Sequence, residues 1–205
     1  FCNEVMSAGL TNINISFMNI NIDKQKGITH SARPLTLSGI SQIYGSAIKN
    51  AVQMRINSNI FNGNNDNIQE LDQFYKHIRY LCDSVKFSPL LPTDAFSVID
   101  RKTNWTNENR MKDEAVLALF MGIEQYYSNK YNVSVIENDL QFGFVKNTMI
   151  PLKTPIILNW NFGEYTGMMK RVVEQRQINN IKLLANNELS LSWNRELSEY
   201  FISTH

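Results

Sequence analysis

The sequence predicts an α+β fold in which four to five main helices pack with a small antiparallel sheet. Apolar residues recur at spacings of three and four over residues 37–57, which is typical of an amphipathic helix. Polar and apolar residues alternate over residues 11–22, and three strand-like runs follow one another over residues 131–160. We therefore expect the sheet to combine a meander of residues 131–160 with the N-terminal strand.

The composition is that of a globular protein. The chain has 205 residues, of which 43% are hydrophobic and 19% are charged. That length suits one domain with a sizeable core. We expect a single domain over residues 1–205, with a possible N-terminal subdomain over residues 1–90. A proline-bounded linker over residues 86–93 would join that subdomain to the rest.

Two amphipathic helices are predicted in the first half of the chain. The first covers residues 37–57 and carries an apolar stripe from Ile40 to Val52. Residues 58–66, rich in Asn and Gly, are expected to form a flexible loop. The second helix starts after Asp66 and is predicted to end at Pro89.

The most apolar helix is predicted to begin at Thr106 and to run to about Tyr127. Thr106 is a good N-cap, and Trp105 before it can fold back on the first turn as a hydrophobic staple. Because this helix is apolar on nearly every side, its neighbours must cover it. We therefore predict that Leu119 and Phe120 are buried.

A β-hairpin is predicted directly after this helix. Residues 131–137 and 140–146 both alternate, and Asn138-Asp139 between them suits a two-residue turn. A third strand over residues 154–160 would complete the meander. Beyond it, residues 163–186 are predicted to be helical and residues 189–193 to form a short strand.

The sequence contains no motif of established chemistry. A phosphate-binding loop, a Gly-rich dinucleotide fingerprint, a HExxH helix and a GxSxG elbow are all missing. The two cysteines, Cys2 and Cys82, offer neither a disulfide framework nor a metal motif, and Cys82 is expected to pack as a small buried hydrophobe. We therefore predict no catalytic residue, no cofactor and no metal. No apolar run is long enough to predict a membrane span.

Basic residues provide the candidate binding positions. The formal charge is +1, so the protein as a whole has no field that would attract nucleic acid, and a local patch would be needed. Cations beside stackable rings can hold single-stranded nucleic acid. The positions predicted to contact nucleic acid or a partner chain are Lys76, Arg79, Arg110, Lys170, Arg171 and Arg176.

Three functions remain open. The first is a non-enzymatic structural or assembly subunit, viral or bacterial, that binds other protein subunits in an oligomer or multiprotein complex, because Met and aromatic residues are common at interfaces. The alternative is a single-stranded nucleic-acid-binding protein of viral or mobile-element type. The third is a hydrolase or transferase whose site assembles only in three dimensions. The sequons at Asn14, Asn104 and Asn132 give no preference, because about three are expected by chance.

Overall fold

The computed structural model describes residues 6, 9–90, 101–139, 146–160, 182–183 and 189–190. The chain divides into two compact units, Phe1–Gly163 and Glu164–His205. The described residues of the first unit include six strands in one sheet. They are β1 (Asn12–Ser16), β2 (Gln53–Ile60), β3 (Ser84–Pro89), β4 (Ile136–Asp139), β5 (Lys146–Ile150) and β6 (Ile156–Asn159).

The sheet is mixed, with its strands in the order β1-β2-β3-β6-β5-β4. The neighbours β1, β2, β3 and β6 are parallel, whereas β5 is antiparallel to β6 and β4 is antiparallel to β5. Parallel neighbours need a crossover connection, and helices supply it here.

Five helices are described in the first unit: α1 (Ile22–Thr29), α2 (Leu37–Lys49), α3 (Ile68–Ile78), α4 (Arg101–Asn109) and α5 (Asp113–Tyr131). The side chains of Asn21, Thr36 and Asn67 cap the first three by accepting hydrogen bonds from first-turn N–H groups. In chain order, α1 and α2 connect β1 to β2, and α3 connects β2 to β3. The described elements therefore form consecutive strand–helix–strand units.

The prediction of a small antiparallel sheet is wrong, because four of the six strands are parallel and two of those were predicted as helix or loop. Strands β2 and β3 follow α2 and α3 after short turns that carry neither Gly nor Pro. Ala51 makes the first turn with a left-handed φ of 55°. A glycine there would have marked the boundary. Without it, the apolar residues at the start of β2 extend the helical spacing of α2.

The structure contains an antiparallel meander β4-β5-β6 within residues 131–160, but the predicted pairing of residues 131–137 with 140–146 and its hairpin turn are wrong. Asn138 pairs with Asn147 and Asp139 with Lys146, so the connection lies beyond the predicted Asn138-Asp139 turn, within residues 140–145, which are outside the described residues. Tyr131 ends α5 instead of starting a strand.

The predicted helix start at Thr106 is also wrong, because Thr106 lies inside α4 and a separate helix, α5, begins at Asp113. Trp105 packs edge-to-face on Phe61, with ring centroids 5.3 Å apart, and is no staple. Leu119 and Phe120 are buried as predicted.

The core lies on one side of the sheet. Apolar side chains of β2, β3, β5 and β6 pack there with buried side chains of α2, α3 and α5. The rings of Phe17, Phe74 and Phe87 lie in sequence through this core with centroids 5.8 Å apart; the first pair is tilted and the second is edge-to-face. The opposite face of the sheet therefore carries a different set of side chains.

The second unit is described only at Lys182–Leu183 and Leu189–Ser190, which pair as antiparallel strands. The predicted helix over residues 163–186 is therefore wrong at residues 182–183, and the rest of it lies outside the described residues. The predicted strand is confirmed at Leu189–Ser190. Residues 86–89 of the predicted linker form most of β3, and the division into domains stays a prediction.

Cys82 should not react with thiol reagents in the folded protein. Its side chain is buried, and burial raises the pKa of the thiol to about 12, so almost no thiolate forms near neutral pH. We expect a Cys2→Ser variant to show no rapid reaction with a chromogenic disulfide reagent at pH 8, and full reaction in denaturant. Rapid native labelling would show that the core around Cys82 opens readily.

Candidate functional site

The parallel strands β1, β2 and β3 carry polar side chains on one face and mainly apolar side chains on the other, whereas Ile157 of β6, which pairs with Lys86, and Met149 of β5 are apolar residues on the otherwise polar face. In β2, Met54, Ile56 and Ile60 are buried in the core, whereas the residues between them are polar. The strand registers carry this parity across the sheet, since Arg55 lies beside both Asn14 and Ser84, and Asn57 beside Lys86. We call the following set the polar face: Asn12, Asn14, Ser16, Gln53, Arg55, Asn57, Asn59, Ser84, Lys86, Ser88, Asn147 and Asn159.

A polar face on the inner strands of a parallel sheet is unusual. Parallel strands are normally buried on both faces and read as continuous apolar runs. Here β2 and β3 are the second and third strands of six, yet every second residue from Gln53 to Asn59 and from Ser84 to Ser88 is polar. Folding alone gives no reason for this alternation, so the polar face is the strongest candidate for a functional surface.

Two cations on this face have no described counter-charge. Arg55 and Lys86 are half-buried and lie on adjacent strands, two residues apart along the register, so their Cα atoms are about 8 Å apart. Among the described residues, no carboxylate lies within ion-pair distance of either. Burial lowers the pKa of Arg55; burial and then the Arg55 charge lower the pKa of Lys86. The strands therefore hold two like charges close together.

Buried hydrogen-bonding atoms accompany these cations. Arg55 Nε, Asn57 Oδ1 and Asn147 Oδ1 are buried and make no hydrogen bond in the structure. Asn147 is only 5% exposed. An unmade hydrogen bond of a buried group costs about 1–3 kcal/mol, so such groups are rare in native proteins unless they have a role. Three such atoms on one face of one sheet give that face hydrogen-bonding capacity that the described residues do not use.

A row of amides and one hydroxyl crosses the sheet at the carboxyl end of β2 and β3. Asn59 lies beside Ser88, Asn159 Nδ2 donates to Ser88 Oγ at 3.2 Å, and Asn147 pairs with Asn159 in register. These groups can both donate and accept hydrogen bonds. This row lies two residues further along the strands than Asn57 and Lys86. The charged groups and the neutral hydrogen-bonding groups therefore form adjacent rows across the sheet.

The loops at the carboxyl ends of β1 and β2 are fixed by a separate amide network. Asn19 Nδ2 donates to Asn64 Oδ1 at 2.8 Å, and Asn65 Nδ2 donates to Ser58 Oγ at 2.9 Å and to the Met18 carbonyl at 3.0 Å. Gln25 Oε1 accepts from two backbone N–H groups of the first loop. These side chains are satisfied by one another. The network therefore holds the loops in place beside a cleft of about 350 Å³.

The described basic positions predicted from the sequence have partners of their own. Lys76 Nζ lies 2.6 Å from Asp72 Oδ2 on the same helix, and Arg110 forms an ion pair with Asp113. The Arg79 guanidinium lies over the Tyr80 ring, 4.6 Å from its centroid. Lys170, Arg171 and Arg176 lie outside the described residues.

The fold places Arg79 and Arg110 at opposite ends of the sheet. The Arg79 carbonyl accepts a hydrogen bond from Thr154, just before the amino end of β6. The Arg110 carbonyl accepts from Asn62, just after the carboxyl end of β2. The length of the parallel strands separates them. The two do not form one basic group, and whether any of the six predicted positions binds a partner stays a prediction.

The described residues provide neither a membrane span nor a metal-binding cluster. No described helix has the length and apolar character needed to cross a membrane. No group of three or more His, Cys, Asp or Glu side chains in the described ranges is arranged to hold a metal ion.

The described part of the first unit is thus an open α/β sheet with a one-sided core and a charged, hydrogen-bonding opposite face. No family model matches the chain, and no curated protein sequence is significantly similar to it. This site was not predicted from the sequence, although its signal was present: Arg55, Asn57 and Asn59 occupy every second position between Met54 and Ile60.

Proposed function

We propose that the protein binds a small anionic molecule on the polar face, and that Arg55 and Lys86 hold its anionic group. One observation carries this proposal: two half-buried cations lie on adjacent strands with no carboxylate partner among the described residues. Burying a charge without a partner is costly. A carboxylate or phosphate between the two would offset both desolvation and mutual repulsion, and the guanidinium of Arg55 could bind it bidentately.

The neighbouring side chains restrict the rest of the ligand. Asn57 Oδ1 and Asn147 Oδ1 are buried acceptors without a donor, so each suits an amino or hydroxyl group. The row of Asn59, Ser88 and Asn159 offers more hydrogen bonds in the same direction. We infer a ligand that carries an anionic group beside hydrogen-bond donors, such as an amino acid or a nucleotide. Side chains on strands are held more precisely than side chains on loops, which favours selective binding.

The test compares Lys86→Met with a matched lysine on the helical side. We expect wild-type protein to be stabilised against thermal unfolding by at least one member of a panel of inorganic phosphate, α-amino acids and nucleoside monophosphates. Lys86→Met should abolish that shift. The unliganded variant should be as stable as wild type or more stable by about 0.5–2 kcal/mol, because functional sites commonly trade stability for binding. The control Lys76→Met should keep the shift.

The pH dependence gives a second readout on the same proteins. Burial and the Arg55 charge lower the pKa of Lys86, whereas a bound anion would raise it again. Lys86 therefore takes up a proton more readily in the complex. Affinity should be highest where Lys86 is already protonated and should fall as the pH rises through its lowered pKa. A Lys86→Arg variant should keep binding and lose this pH dependence. An unchanged melting temperature with every probe, or equal binding by wild type and Lys86→Met, would overturn the proposal.

The three functions predicted from the sequence relate differently to this site. Arg55, Lys86 and Asn147 come from three strands that are far apart in sequence, so the site is of the kind that a hydrolase or transferase could assemble in three dimensions. Nucleic-acid binding makes a distinct prediction, namely salt-sensitive binding of a labelled single-stranded oligonucleotide that outcompetes a mononucleotide. Assembly with other protein chains stays a prediction.

A further inference from the structure

Strand β1 forms one edge of the sheet, and no described strand pairs with its outer side. The Phe17 N–H donates to the Asn57 carbonyl and the Gln53 N–H donates to the Thr11 carbonyl, both at 2.9 Å, so the odd-numbered residues of this segment bond to β2. In a parallel ladder the alternate residues then direct their N–H and C=O groups outward. Those residues are Asn12, Asn14 and Ser16, and no described residue pairs with their outer side.

Edges of this kind are usually guarded. Natural sheets place lysine, proline or a β-bulge on an edge strand, or cover it, because open backbone groups otherwise recruit another strand. The sequence of β1 is Asn-Ile-Asn-Ile-Ser, which has no charge and no proline. Its register with β2 runs without interruption over all five residues, so it has no bulge. Strand β1 therefore has none of the protections that belong to the strand itself.

The same five residues are self-complementary. In an antiparallel pair of two β1 strands with Asn14 on the two-fold axis, Asn14 faces Asn14 of the second copy, Asn12 faces Ser16, and Ile13 faces Ile15. Asn12, Asn14 and Ser16 then take the hydrogen-bonded positions, where every outward N–H meets a C=O. The isoleucines take the close non-hydrogen-bonded positions on the core side. Such a two-fold contact is the commonest symmetry of protein dimers.

We propose that two copies of the chain associate through antiparallel pairing of their β1 strands, joining two sheets into one that continues across the two-fold axis. Because the strand is uncharged, no like charges face each other in this pairing. Its palindromic pattern places polar residues opposite polar residues and isoleucine opposite isoleucine. A contact limited to five residues a side is small, so the dimer should be weak and concentration-dependent. This inference is independent of the anion site, which uses the inner strands of the same sheet.

The test measures the mass of the full chain over a range of concentrations by sedimentation equilibrium. Wild-type protein should shift from monomer to dimer. Asn14→Pro should raise the dimer dissociation constant roughly 30-fold, because it removes both N–H groups on the axis. Proline is tolerated on an edge strand where the N–H is directed outward, so the monomer should fold; unchanged far-ultraviolet circular dichroism checks this.

A second variant keeps the test valid if proline disturbs the strand. Asn14→Lys places two like charges about 5.5 Å apart on the axis, beside Arg55 of the same sign, and should weaken the dimer at low salt, with recovery at high salt. In the control Asn12→Lys, the two charges are about 14 Å apart, beyond the screening length, so dimerisation should be nearly unaffected. A wild-type chain that stays monomeric at every concentration would overturn the proposal, as would a dimer that both Asn14 variants leave intact.

Discussion

Replacing Phe120 with alanine should lower the free energy of unfolding by about 3–5 kcal/mol. Phe120 is fully buried near the middle of α5, and its ring lies edge-to-face with Trp160 at a centroid distance of 5.2 Å. The substitution removes apolar burial and leaves a cavity that a packed core closes only in part. Urea unfolding followed by circular dichroism, with the slope compared between variants, measures the effect.

The matched control lies on the same helix, one turn earlier. Leu117 is 43% exposed, so Leu117→Ala loses little buried area and should change the free energy of unfolding by less than about 1 kcal/mol. A small effect at Phe120, or equal effects at both positions, would show that α5 is peripheral to the cooperative core.

Replacing Asp72 with alanine should cost about 2–4 kcal/mol of folding free energy. The Asp72 carboxylate accepts hydrogen bonds from the Tyr127 hydroxyl at 3.0 Å and the Tyr126 hydroxyl at 3.1 Å, and it forms ion pairs with Lys76 and Lys130. These contacts join α3 to α5. Truncation leaves the Tyr127 hydroxyl buried without its acceptor. Lys76→Met, which removes only an exposed partner of Asp72, should cost less than about 1 kcal/mol.

The contribution of Asp72 should also depend on pH. Burial raises the pKa of this carboxyl, but the hydrogen bonds from Lys76 and Tyr127, the Lys130 charge and the Tyr126 hydroxyl outweigh it, so the pKa is lowered overall. A lowered pKa in the folded state stabilises the protein fully above the unfolded-state value of about 3.9. That contribution is lost as the pH falls through the folded-state pKa. The stability difference between wild type and Asp72→Asn should therefore be constant from neutral pH to about pH 5 and should shrink below pH 4. A constant difference down to pH 3 would contradict this account of the cluster.

The elements that the sequence predicted correctly are those whose pattern is local and uninterrupted. The stripe of α2 and the burial of Phe120 follow from spacing within one helix. The helix–strand boundaries failed because α2 and β2 are separated only by a short turn at Ala51, and apolar residues on both sides fit one helical period for a few positions. The parallel pairing could not be predicted from such windows, since it depends on contacts between residues 29 to 71 positions apart.

The polar face was missed for a related reason. Arg55 and Lys86 lie in segments predicted as helix, where both would be ordinary solvated cations, and only the strand register makes them neighbours. Asn147 was assigned to a position beyond the predicted hairpin, so its burial could not be anticipated. Once the parity of β2 is known, the same residues become informative, because a buried strand position has no structural use for a charge.

The one-sided core has a consequence for how this protein can change over time. Along β2 and β3, neighbouring positions serve separate requirements: even-numbered residues of β2 determine whether the chain folds, and odd-numbered residues determine what the sheet presents. A single substitution therefore changes either the packing of the core or the side chains on the polar face, and largely leaves the other unchanged. The preference for the proposed ligand could change through Arg55, Asn57 or Asn59 while Met54, Ile56 and Ile60 stay fixed. The scaffold is thus suited to acquiring new specificities without passing through unfolded intermediates.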